Sequence, residues 1–257
     1  MTGRARAPRS AALIGVVCAG LTVLTACGGG GGGGGGEDPD KGTNGVGKLS
    51  PAKIEMKARK AAQRADAVRV AGSVVSKGDT YRLSMKLKRD GGMGEVSAEG
   101  GSTFQLLRVR KDLYLKAGAD FWAKQEKGGG TPSKSDVAAA GKLEGKYVKV
   151  PHGDPAYRQL SGFTDMSVLL DGLLAMDGKR ATGERGTVAG VKTIRVQAGK
   201  GRGGMMDVSL KGSPYPLRLQ RGGDAGTVRL SGWNAEFALE PPAKDQVVDY
   251  GRSISAN

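Results

Sequence analysis

From Thr80 the chain reads TYRLSMKLKR, with Tyr81, Leu83, Met85 and Leu87 at one parity and Arg82, Ser84, Lys86 and Lys88 at the other. Side chains leave a strand on alternate faces, so a period of two describes an antiparallel strand with one buried and one wet side. The pattern recurs along the chain. AVRVAGSVV precedes it across the turn Ser76-Lys77-Gly78-Asp79, and GEVSAEG, STFQLLRV, KDLYLKA, FWAK and GKYVKVP follow. ATGERGTVAG, VKTIRVQA, GMMDVSLK, YPLRLQ and GTVRLSGW complete the series. The connections are short and polar, as hairpins and meanders require. Roughly ten or more such strands make a large antiparallel sheet that must curl rather than stay flat. The composition agrees: 45 glycines and only 5% aromatic residues suit a chain of many turns, where glycine takes positive φ without steric cost.

Two segments keep a different period. Ser50-Pro51 is a helix entry, serine as N-cap and proline at the first helical position. The following AKIEMKARKAAQRADA sets Ile54, Ala58, Ala61, Ala62 and Ala65 on one face, with most Lys and Arg elsewhere. Such a shallow stripe suits close packing on a sheet; a helix lying in a membrane would want Trp, Phe or Leu anchors. From Thr164 to Met176, the residues Met166, Leu169, Leu170, Leu173, Leu174 and Met176 recur at helical spacing, with Asp165 placed where a helix N-terminus favours negative charge. These two helices are expected to cover the apolar, concave face of the sheet. Incomplete cover would leave a cavity.

The N-terminus has its own logic. Arg4, Arg6 and Arg9 precede an uncharged run from Ala11 to Ala26, the layout of an export signal. That run is short of the ~20 residues that span hydrocarbon, and the arginines are not adjacent, so neither a transmembrane anchor nor a twin-arginine signal fits. Leu24-Thr25-Ala26-Cys27 resembles the lipobox of bacterial lipoproteins. The resemblance implies a diacylglycerol thioether on Cys27, cleavage before it, and acylation, as by palmitate, of the new amino group. Cys18 would leave with the signal, so the mature chain would hold one cysteine and no intrachain disulfide. Gly28–Gly36 and EDPDKGTNGVGKLS carry too little apolar surface to offset the entropy of ordering, and read as a tether of about 25 Å mean reach. The expected domains are therefore a signal peptide at 1–26, a lipidated cysteine and tether at 27–50, and a folded domain at 51–257.

Little in the sequence suits catalysis. His152, in VPHGDPAYR, is the single histidine and reads as a loop residue. Asp165 with Asp171, or Asp154 with His152, have no spacing that sets them apart from surface charge or helix N-terminal acids. GERGTVAG and GRGGMMD lack the strand-to-helix setting of a dinucleotide site and read as turns. No enzyme activity, metal or cofactor is expected. Forty Lys and Arg face 25 Asp and Glu, a formal charge of +15; loss of the signal removes three arginines and no acid, which leaves +12. The bases alternate with apolar residues along strands, the arrangement of a solvated convex face, so a nucleic-acid partner is not expected. Cations near a pocket mouth would also attract anionic headgroups.

The strands together with GKYVKVP, the YPLRLQ strand after MMDVSLK, the hairpin Val188-Ala189-Gly190-Val191 and the closing EPPAKDQVVD resemble the actinobacterial lipoprotein family LppX/LprA/LprF/LprG. The resemblance covers most of 51–249 and is soft, a pattern of apolar and turn residues. The sequence departs from it in two Gly/Lys-rich stretches, EKGGGTPSKSD and AGKGRGG. It implies the α+β LolA/LolB-like fold, an eleven-stranded half-barrel with helices packed on its concave face around a hydrophobic pocket, and the binding and transport of lipids or lipoglycans. Candidate pocket residues are Leu83, Met85, Leu87, Phe104, Leu106, Leu113, Leu115, Trp122, Phe163, Leu169, Leu170, Leu173, Ile194, Val196 and Met206, each better read singly as plain core than as ligand contact, since most buried apolar side chains only pack. The expected protein is a monomer on the outer face of the cell membrane that carries or holds a lipid. The alternative is a ligand-free surface interaction or sensory lipoprotein of the same fold.

Overall fold

The computed structural model describes residues 38–76, 78–101, 103–126 and 134–248. The chain divides into Met1–Asp38, of which Asp38 alone is described, and a compact unit Pro39–Asn257. Alternation along the sequence becomes two meanders. In the first, β1 (Ala67–Ser76), β2 (Asp79–Lys88), β3 (Gly91–Ala98), β4 (Thr103–Val109), β5 (Asp112–Ala117) and β6 (Tyr147–Val150) pair in order, all antiparallel. In the second, β7 (Arg180–Val188), β8 (Val191–Ala198), β9 (Met205–Ser209), β10 (Pro216–Gln220) and β11 (Thr227–Ser231) do the same, and β11 closes on β1. A two-residue strand, β12 (Val247–Val248), adds parallel to β6. The result is one open, curved sheet of order β12-β6-β5-β4-β3-β2-β1-β11-β10-β9-β8-β7. The sheet thus has the eleven antiparallel strands expected, with one short parallel addition.

The period-two reading holds at residue level. In β2, Leu83, Met85 and Leu87 are buried and Arg82, Ser84 and Lys86 exposed. The β7–β8 hairpin turns on Ala189 and Gly190, with φ of 48° and 80°, the positive-φ pair that a two-residue turn needs to match strand twist.

Five α-helices are described: α1 (Pro51–Arg64), α2 (Ala119–Glu126), α3 (Lys134–Gly141), α4 (Pro155–Thr164) and α5 (Met166–Leu173). α1 packs on β7 to β10, α4 on β2 to β4, and α5 lies against both helices. Ile54, Ala58, Ala62 and Ala65 of the first helical segment are fully buried. Small side chains there let the helix approach the strands closely. Gly92 plays the same part under α4: a Cβ at that position would stand 2.5 Å from Leu87 Cδ2 and 3.1 Å from the Thr164 carbonyl.

Three expectations need correction. FWAK is not a strand but the middle of α2; four residues are too few for a period to distinguish the two, and Asp120 stands in the first turn of the helix. The helix expected over Thr164–Met176 is shorter, because Asp165 ends α4 and caps α5, its side chain accepting from the amides of Ser167 and Val168 at 3.0 and 3.1 Å. The tether expected through Ser50 is ordered from Pro39 onward. Asn44 donates from its side chain to the carbonyls of Ser209 and Gly212, its amide donates to Leu210, Val46 is buried, and Asp40 pairs with Arg185 at 2.8 Å. Composition missed this because the order comes from polar contacts with remote strands rather than from the segment's own apolar surface.

Candidate functional site

The apolar faces of both meanders meet in one interior. Leu83, Met85 and Leu87 enter it from β2, Leu106 from β4, Leu113 and Leu115 from β5, Ile194 and Val196 from β8, and Met206 from β9. Trp122 of α2 and Leu170 and Leu173 of α5 join them, while Phe104 of β4, Phe163 of α4 and Leu169 of α5 are partly buried against the same cluster. The structure therefore brings every candidate pocket residue together. The candidate set omitted Val68, Val70, Val96 and Leu219, which belong to the cluster and which strand parity would have found, and Leu160 and Leu174, which helical spacing would have found.

One end of this interior is aromatic. Leu83, Val96 and Phe104 are direct cross-strand neighbours across β2, β3 and β4, so Phe104 shares a face with Leu83 and with Tyr81 two residues on. Tyr81 meets Phe163 with ring centroids 6.2 Å apart, and Phe104 meets Phe121 of α2 at 5.6 Å. Phe121 in turn lies edge-on to Trp122 at 5.2 Å, whose indole nitrogen donates to the Ala117 carbonyl at 3.3 Å. Tyr81, Phe104, Phe121 and Phe163 are all half-buried. Large rings that are continuous with a core yet still touch solvent are the surface an apolar ligand meets first.

An ionic frame fastens the elements around this interior. Glu55, on the inner flank of α1, receives Arg180 at 2.5 and 3.1 Å and Arg59 at 3.2 Å. Arg59 also donates to the Leu174 carbonyl, and Arg180 to the carbonyls of Met176 and Gly178. Burial pushes the Glu55 carboxyl up, but Arg180 and Arg59 outweigh it and hold the group below the usual glutamate range. Asp207 is clamped by Arg195 at 2.9 Å and Arg218 at 2.6 Å from the flanking strands. Arg108 donates to the hydroxyl and carbonyl of Thr164 at 3.1 and 2.9 Å, tying β4 to the α4–α5 junction. None of these pairs was singled out in the sequence. One signal was there, since Glu55 is the lone acid of α1 with Arg59 one turn on; the pairing of Asp207 with Arg195 and Arg218 follows from strand register alone.

The residues considered for catalysis have structural work. Asp154 caps α4 by accepting from the Ala156 amide at 2.8 Å, and the His152 ring packs at a tilt against Tyr157, with centroids 4.4 Å apart. Asp165 caps α5 and Asp171 is exposed. Among the described residues no group of His, Cys, Asp and Glu is placed to hold a metal, and no helix is long and apolar enough to cross a membrane. A depression of about 560 Å³ runs along α1, lined by Ala52, Glu55, Met56, Arg59, Lys60 and Gln63. Cys27, the signal segment, the glycine run and most of EKGGGTPSKSD lie outside the described residues.

An open, curved antiparallel sheet with helices on its apolar face defines the class of fold. In particular it is the fold of LprF from Mycobacterium bovis, with a TM-score of 0.52 and 15% identity over 75% of this chain and 97% of LprF. Lipoprotein LppX of Mycobacterium tuberculosis aligns at 12% identity over 74% of this chain and 98% of its own, with a TM-score of 0.42. At 15% identity the likeness to LprF is one of fold. Known protein families and curated proteins give no match.

Proposed function

We propose that this chain is an exported, non-enzymatic lipoprotein, anchored to the outer face of the membrane through a diacylglyceryl group on Cys27, that binds a lipid or lipidated glycan and carries or shields it in the envelope. The observation that carries the reading is the aromatic end of the interior, where Tyr81, Phe104, Phe121 and Phe163 are half-buried against a continuous apolar core. An acyl chain entering beside these rings would leave water at about 0.8 kcal/mol per methylene, so partial enclosure suffices for binding. The lipobox-like Leu24-Thr25-Ala26-Cys27 supports the anchor.

The test is extraction. The chain from Gly28 to Asn257, which retains Pro39–Lys48 on the sheet, is produced in a lipid-containing host, extracted with organic solvent and analysed by mass spectrometry. Stoichiometric lipid is expected. Stable, lipid-free protein after exposure to membranes would overturn the carrier and leave the ligand-free interaction module, which the fully buried Leu87, Leu113, Leu115 and Met206 favour. In the full chain, Cys27→Ala should abolish labelling by a fatty-acid analogue; persistent labelling would overturn the anchor.

A further inference from the structure

The outward face of α1 has no structural task among the described residues. Lys53, Met56, Lys57, Lys60, Gln63 and Arg64 are spaced three and four apart, all exposed, and so form one stripe along the helix. Lys53, Lys57, Lys60 and Arg64 pair with no carboxylate among the described residues. The one acid of the helix, Glu55, points the other way and is occupied by Arg59 and Arg180. Helix stability does not explain the stripe, because a lysine in the first turn with no acid beside it opposes the positive end of the helix dipole. Met56 stands 58% exposed in the middle of the cations.

The chain also enters the domain on a strand that α1 covers. Arg185 of β7 holds Asp40 and the Pro39 carbonyl, and α1 packs on β7. Eleven residues separate Cys27 from Pro39, so an anchored domain can hold Pro39 no farther than about 40 Å from its lipid, even fully extended. We propose that this stripe is a docking surface for the anionic headgroups of the bilayer, and that it sets the orientation in which the domain rests there. The contact is electrostatic, with Met56 entering the headgroup layer. The proposal rests on the membrane-anchored reading for its location but on the stripe alone for its chemistry.

The test uses the chain from Gly28 to Asn257, without the lipidation site, in co-sedimentation with phosphatidylcholine vesicles made with and without phosphatidylglycerol. Binding is expected only with phosphatidylglycerol and is expected to vanish in ~1 M salt, where the Debye length is about 3 Å. A cation near such a surface is worth about fivefold in partitioning, so K53Q/K57Q/K60Q should weaken binding by about 100-fold. K86Q/K142Q/K244Q removes the same charge from exposed sites on β2, beyond α3 and near the C-terminus, and should leave binding nearly unchanged. Equal loss in both triple variants, loss in neither, or equal binding to neutral vesicles would overturn the proposal, and so would no binding at low salt. None of these results touches lipid extraction, so the two readings fail separately.

Discussion

The two meanders hold their helices by different chemistry. Over the first meander, α4 rests on β2 to β4, where Leu83, Leu87 and Leu106 are buried, with Arg108 as a polar clamp at its junction with α5. Over β7–β11, α1 rests on alanines and is locked by charge, Glu55 to Arg180 and Arg59, while Asp207 ties β8, β9 and β10 together. Apolar contacts are non-directional and can re-form around a guest; a hydrogen-bonded ion pair has one good geometry. The half-buried rings Tyr81, Phe104 and Phe163 lie on the first side, among the non-directional contacts. The second side holds the directional ones.

The sharpest way to break this comparison is to empty the apolar side. Leu115→Ala deletes a fully buried side chain between β4 and β6 and should cost about 3 kcal/mol in urea unfolding, equally at neutral and acid pH. A loss that varied with pH would mean that the first meander also depends on charge. Glu55→Gln comes next, at about 2 kcal/mol, because Arg180 and Arg59 would keep their charges and lose the carboxylate between them, one of its two accepting oxygens becoming an NH2 donor. Since the Glu55 carboxyl is held below its ordinary 4.5, its contribution is complete above that pH and is lost as pH falls below 4.5 through the lower folded value. Wild type should therefore lose stability over that acid range more steeply than the variant, and parallel curves would sink the idea of an ionic lock. The smallest effect belongs to Asp165→Ala, about 1 kcal/mol, from loss of the cap on α5. Hydrogen exchange should then rise in α5 and leave α1 unchanged; faster exchange in α1 would show that the two sides are not independent.

Much of the sheet was legible because it is written locally. Alternation in β2, β5 and β8 marks both their existence and their inward face, and the same parity gathered Leu83, Phe104, Leu115 and Val196 around one interior. Helices α4 and α5 were half legible. The 3.6 period in Met166–Leu173 is clear, but the break at Asp165 and the entry Asp154-Pro155 depend on capping, a signal present in the sequence and passed over. The ionic frame was not legible as a frame, since Glu55 and Arg180 are 125 residues apart and meet only because α1 crosses the second meander.

By itself, the sequence determined the alternation that makes strands, the apolar parity that makes an interior, and the basic stripe of α1. These are properties of neighbours along the chain. The tertiary structure decided that residues 39–50 belong to the domain, that Arg180 and Asp207 serve as fasteners, and that four aromatic rings gather at one end of the core. Such contacts join segments whose separation along the chain carries no trace of their distance in space.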